Sequence, residues 1–380
     1  MAFAGICCGN LSPIHSITYH QERATDGVYE DPSGANFHTN YAYSNNVVTV
    51  TQGSQTRQFT ADTLGRQISA TNPESGTVSY TYDNAGNVLT RTDQRGIVTT
   101  YSAYDALNRP GAISYSDGTP TVTLGYDGVW SAFGQLTSIA NANSSTSLTA
   151  FDTWGRVTAS TQQTGGQTYN FTYGYNLVNA LTSEQLPSGR ALTSGYDTTG
   201  RLTALSGTLS GTTTNYLNVT QYWAHGLVKQ MLYGNNVWRD FGYINSRLQV
   251  TGYWDTIGEN PYQFVRLEFP IWGTTNNNGT LQSTQIYAGP PATWPSLPNV
   301  AQSFSYDSLN RLTSASEGSN WAQAYNYDQY GNMWMPSSTL TPPALGPVAP
   351  TTNVYSASNN RNVYSSYDAA GNLTAFGAIG

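Results

Sequence analysis

The amino-acid sequence predicts an all-β protein made of tandem antiparallel hairpins. Three observations predict it: a tyrosine–aspartate motif that recurs about every 21 residues, a second turn signal midway through each period, and a composition suited to pleated sheet. The motif reads Tyr82-Asp83-Asn84-Ala85-Gly86-Asn87 in its first clear copy. It returns as Tyr104-Asp105 through Asn108-Arg109, as Phe151-Asp152-Thr153-Trp154-Gly155-Arg156, and as Tyr196-Asp197 through Gly200-Arg201. Three further copies follow: Tyr306-Asp307 to Arg311, Tyr327-Asp328 to Gly331-Asn332, and Tyr367-Asp368 to Gly371-Asn372. Weaker copies stand at Asp62–Arg66, Tyr126–Asp127, Tyr175–Asn176 and Tyr243–Leu248. Asp62 to Asp83 is 21 residues, Asp83 to Asp105 is 22, Asp105 to Asp127 is 22, and Asp307 to Asp328 is 21. A fixed period of this length marks a repeat architecture, and it governs the rest of the reading.

Each period holds a second turn. Asp31-Pro32-Ser33-Gly34, Asn72 to Gly76, Asp93 to Gly96 and Leu186-Pro187-Ser188-Gly189 are the clearest. Proline presets φ for the second turn position, glycine accepts positive φ, and Asp or Asn bonds the backbone ahead of it. One period is therefore strand, turn, strand, turn, with strands of ordinary length. Along the strands the aromatics alternate, as in Tyr80/Tyr82, Phe304/Tyr306 and Tyr325/Tyr327. Period-two alternation places them on one face, where neighbouring repeats are expected to set Tyr beside Tyr. In the turns, Asp is expected to cap its own turn and Gly86, Gly155, Gly200, Gly331 and Gly371 to take the left-handed position.

Composition agrees. Charged residues are 10% and aromatics 13%, with 28 Tyr, 9 Trp and 11 Phe. Aromatic and β-branched residues fit a half-buried pleated surface, whereas long helices need Ala, Leu, Glu and Lys. The net charge of −7 argues against nucleic acid, which requires basic stripes. No apolar run is long enough to span a membrane as a helix. The segments 289–298 and 336–350 are rich in proline and are expected to loop out of the sheet. The expected organisation is a non-repeat lead-in over 1–30 and a repeat region over 31–380.

Reactive chemistry is sparse. Cys7 and Cys8 are adjacent and are the only cysteines, so no disulfide framework is available. With His15 and His20 they match no usual zinc spacing. His38 and His225 complete the histidines, and none stands in a nucleophile motif. The aspartates sit at turn positions with a structural duty, which argues against a carboxylate pair for glycoside hydrolysis. EF-hand, phosphate-cradling and dinucleotide glycine patterns are absent. No cofactor or metal is expected, and the chain reads as a non-enzyme. The nine Trp residues are expected to pack against the sheet; the alternative is a sugar-stacking surface on a carbohydrate-binding or adhesion module.

The motif Tyr-Asp-x-x-Gly-(Arg/Asn)-(Leu/Val)-Thr, with its midway Asp-Pro-x-Gly turn, resembles the RHS/YD-repeat family. That family includes bacterial RHS proteins, the B and C components of insecticidal toxin complexes, and teneurins. The resemblance spans about 35–380, with gaps near 255–300 and 336–355. It implies a strip of hairpins that spirals into a shell around a C-terminal polypeptide, often a toxin. Period alone also allows a β-propeller or a β-solenoid. The resemblance further implies a secreted or cell-surface setting, a polymorphic-toxin context, and as partner the rest of an RHS chain or its toxin-like cargo. Both ends of the sequence read as cut within a repeat, so the chain is expected to be a fragment of a longer protein.

Overall fold

The computed structural model describes residues 28–30, 37–244, 247–257, 263–271, 279–288, 300–339 and 352–377. Cys7, Cys8, His15, His20, the Asp31–Gly34 turn and the proline-rich segment 289–298 lie outside the described residues. Among those described there are 29 strands and no helix. The fold is all-β and antiparallel.

The chain divides into two units. One comprises 1–100 and 303–380, the other 101–302. In the first, each strand pairs with the next from Phe37–Ser44 through Val47–Gln52, Gln55–Ala61, Gln67–Asn72 and Gly76–Tyr82 to Val88–Thr92. Its later part repeats this from Val300–Tyr306 to Met333–Ser338. In the second unit the ladder runs the same way from Ala112–Tyr115 to Ser283–Ala288. Hairpin follows hairpin because each turn is short and each strand is of similar length.

The sheet is thinly covered. In Val300–Tyr306 the residues Val300, Gln302, Phe304 and Tyr306 are half-buried and alternate with exposed neighbours. Few apolar side chains are buried among the described residues; Ala70, Ala132, Phe151, Ala315 and Val354 are among them. The aromatic face is thus partly covered rather than sealed, and local bonds at the turns carry much of the specificity.

A bulge recurs beside the motif. Thr81 pairs with Thr90 but Tyr82 pairs with Val88, leaving Leu89 over. The same slip leaves over Thr137, Thr182, Thr203 and Thr313 opposite Tyr126, Tyr175, Tyr196 and Tyr306. The threonine that ends the motif is therefore the extra residue of a β-bulge, which bends and twists its strand. Glycine makes room for it. A Cβ added at Gly195 would stand 3.1 Å from Thr203 Oγ1, and one at Gly125 or Gly174 would strike Ser138 or Ser183.

One expectation needs correction. Pro336 is within the strand Met333–Ser338 and not in a loop; the proline sits where the ladder to Trp321–Tyr327 skips, so no donor is missed. The strand before the Asp105 turn, Val98–Ser102, stops short of Tyr104, and Ala103 has φ 54°.

Candidate functional site

The recurrent site of this molecule is its aspartate turn. In the turn 105–109 the Asp105 N–H donates to Arg109 O and the Asn108 N–H to Asp105 O. Asp105 Oδ1 accepts from the N–H groups of Leu107 and Arg109, while Oδ2 accepts from the Arg109 guanidinium. One carboxylate thus satisfies two backbone donors and one cation. The same bonds recur at Asp62, Asp152, Asp197 and Asp307 with Arg66, Arg156, Arg201 and Arg311. At Asp83, Asp328 and Asp368 an asparagine side chain replaces the guanidinium. The fourth turn residue takes positive φ: 91° at Gly86, 75° at Gly155, 84° at Gly200, 86° at Gly331, 84° at Gly371, and 60° at Asn108 and Asn310. Asparagine is the side chain that tolerates this region best after glycine.

In six of these turns the bonds favour the ionised carboxylate. Asp62 and Asp105 lie below the usual range chiefly through the backbone N–H of their own arginine. In Asp83 and Asp368 the asparagine side chain is the leading cause, and in Asp197 it is the Thr199 hydroxyl. Burial pushes Asp152 up, but the Arg156 contacts outweigh it.

The arginine also joins one repeat to the next. Arg66 lies over the ring of Tyr82, Arg109 over Tyr126, Arg156 over Tyr175, Arg201 over Tyr222 and Arg311 over Tyr327, at 4.3–4.9 Å from the ring centres. Such placement attracts a cation to the ring face. The tyrosine hydroxyl then donates to the carbonyl just past that arginine: Tyr82 to Gln67 at 2.6 Å, Tyr327 to Leu312 at 2.8 Å, Tyr126 to Pro110 at 3.2 Å. Tyr196 does the same to Leu181 at 2.8 Å. Arg109 reaches further and pairs with Asp127 of the following turn as well as Asp105, and both push its pKa up. The partner of these tyrosine rings is thus an arginine of the preceding repeat, a clamp that the expected tyrosine-on-tyrosine row did not include. The spacing from Arg to the next Tyr varies from 16 to 21 residues, so no fixed offset announced it.

A further turn escaped notice because its aspartate is replaced. The Trp223 N–H donates to Leu227 O and the Gly226 N–H to Trp223 O, with φ 91° at Gly226. The Tyr222 hydroxyl donates to Leu202 O. Tyr222 and Gly226 at the motif's spacing were the available signal. The Asp127 turn is instead enlarged, closing at Gln135.

The Trp residues divide. Trp223 stacks on His225, and its indole N–H donates to Phe241 O. Trp130 and Trp154 do not pack as expected: they are 70% and 63% exposed at turn tips. An open depression of about 650 Å³ lies beside Tyr216, Tyr233, Arg239 and Asp255. There Arg239 holds Asp255 through two bonds of 2.7 Å, with the rings of Tyr233 and Tyr253 over its guanidinium. Among the described residues no three His, Cys, Asp or Glu side chains converge as metal ligands.

Residues 62–96 match the family model described as RHS Repeat. No curated protein matches the chain. Solved structures similar to it include the TcdB2-TccC3-Cdc42 crystal structure, at 16% identity and a TM-score of 0.71, covering 91% of this chain. The Tc holotoxin pore of Photorhabdus luminescens carrying TccC3-D651A is similar at 16% identity and a TM-score of 0.70, covering 93% of this chain. The chain spans 20% of the length of each of those chains. At this identity the likeness shows the fold alone, a scaffold of tandem hairpins.

Proposed function

We propose that the chain is a wall segment of an RHS/YD-repeat shell that encloses or presents a C-terminal, toxin-like polypeptide. The observation that supports this reading most is the clamp from each arginine to the next repeat's tyrosine. It is an assembly joint that repeats along the chain, and its donors and acceptors are spent on structure rather than aimed at a substrate. The likeness in fold to chains of toxin complexes supports the same reading, and with it a non-catalytic role outside the producing cell or on its surface. A reporter polypeptide fused after Gly380 through a cleavable linker tests it. After linker cleavage the reporter is expected to stay with the chain and to resist protease. A reporter that separates freely and is digested as fast as when alone would overturn the reading.

A further inference from the structure

Within the unit formed by 1–100 and 303–380, late aspartate turns are seated on early midway turns. The Tyr330 hydroxyl donates to Gln52 O at 3.2 Å and accepts from the Ser54 N–H at 3.2 Å. A Cβ added at Gly53 would stand 2.6 Å from that hydroxyl, so the two turns meet because Gly53 is bare. Asp368 pairs with Arg95 of the 93–96 turn at 3.4 Å, and a Cβ at Gly371 would strike the carbonyl of Glu74. Nearby, Gln55 is fully buried and bonds Asn360 Oδ1 at 2.8 Å, and Asn360 donates to Glu74 at 2.9 Å. In the 328–332 turn the third residue, Tyr330, is the one that enters the seat.

In the unit 101–302 that same position is bare. Leu107 is 66% exposed, Trp154 63% and Val178 70%, and Phe133 of the enlarged turn is 81% exposed. Turns alternate between the two edges of a hairpin strip, so these tips share one edge. The midway turns share the other, and they offer the same kind of seat. Gly165-Gly166 and Ser210-Gly211 are two-residue turns like Gly53-Ser54, and nothing stands within 4 Å of a Cβ at Gly165, Gly166 or Gly211. The tips recur every two strands, or ~9.6 Å, and the two named seats stand four strands apart, twice that spacing, as do Leu107 and Trp154. A row of apolar tips therefore matches a row of bare turns in register. An exposed apolar row of this kind is an interaction surface.

We propose that the row Leu107–Phe133–Trp154–Val178 docks on the Gly165-Gly166 and Ser210-Gly211 turns of a second copy of this chain, head to tail. Tip and seat are different patches, so the contact is heterologous and both are present on every copy. The proposal rests on the reading of the chain as a wall strip, and it assigns the strip's edges a partner. The test is sedimentation of the whole chain at rising concentration. The wild type is expected to associate. A tip variant, Leu107→Asp with Trp154→Asp and Val178→Asp, should sediment as a monomer, as should a seat variant, Thr164→Lys with Gln167→Lys. Mixed together, the two variants retain one intact tip and one intact seat and should form a dimer. Val363→Asp, an exposed apolar site elsewhere, should leave association unchanged. A monomeric wild type would overturn the proposal, as would variants that associate undiminished or a mixture that stays monomeric. So would glycan binding lost in Trp154→Ala without any change in sedimentation. A strand-type circular-dichroism spectrum in every variant separates loss of docking from loss of the strip itself.

Discussion

The turns 152–156 and 328–332 are built alike, and only one of them is covered. Both close through the same two backbone bonds, both use the aspartate to accept from the third and fifth residues, and both place glycine at positive φ. Yet Trp154 stands in solvent while Tyr330 bonds the Gln52–Ser54 turn. Turn geometry is therefore a property of five local residues. What the tip does depends on what is laid against it.

The comparison can be broken most strongly at the covered turns. Gly371→Val meets both strain and the Glu74 carbonyl, whereas Gly86→Val meets open space and strain alone. Gly86→Val is expected to cost about 1–2 kcal/mol. Gly371→Val should cost distinctly more in denaturant unfolding, and equal losses would show that the seat contributes nothing.

Gln55→Ala acts on the seat from its other side. It removes the amide that bonds Asn360 and leaves buried polar groups unmatched, which typically costs about 1–3 kcal/mol. Ser147→Ala, in the strand Ser144–Phe151 of the other unit, should cost far less. Equal midpoints for Gln55→Ala and the wild type would remove the seat from the account of stability.

Acid should loosen the bare turn of Asp152 and the seated turn of Asp368 in the same direction, with the smallest effect per residue. The folded-state pKa values of Asp62, Asp83, Asp105, Asp152, Asp197 and Asp368 are all lowered. The unfolded chain therefore binds protons first, so the stabilisation is complete above the unfolded value of ~3.9 and is lost as pH falls through the lower folded values. Melting temperature is expected to be level from neutrality down to mild acid and to drop below that value. A melting temperature that rises on acidification would contradict the capping role.

Much of the fold was legible because the period is carried by residues with backbone duties. Asp, Gly and Asn at fixed places announce turns, and alternating aromatics announce strands. Less legible were features that depend on what faces what. The bulge at Thr203 appears only when Tyr196 is paired with Leu202, and the clamp of Arg201 on Tyr222 joins residues of different repeats. Trp223 hid a turn because the identity of the capping residue changed while the spacing did not. The exposure of Trp154 was misjudged because large aromatics usually find cover, and its place at a turn tip takes it away from the sheet face.

The clamp has a consequence for how such a chain changes over generations. Five joints are made by the same pair, the arginine of one repeat and the tyrosine of the next. Excising a whole period brings together an arginine and a tyrosine that have never met but fit as before. Duplicating one creates a new joint from copies of the old. Where the arginine is missing, as at Ala180, the hydroxyl of Tyr196 still reaches Leu181 and keeps the joint. Length is therefore the trait this architecture can alter most freely, and an odd half-period is the change it cannot absorb.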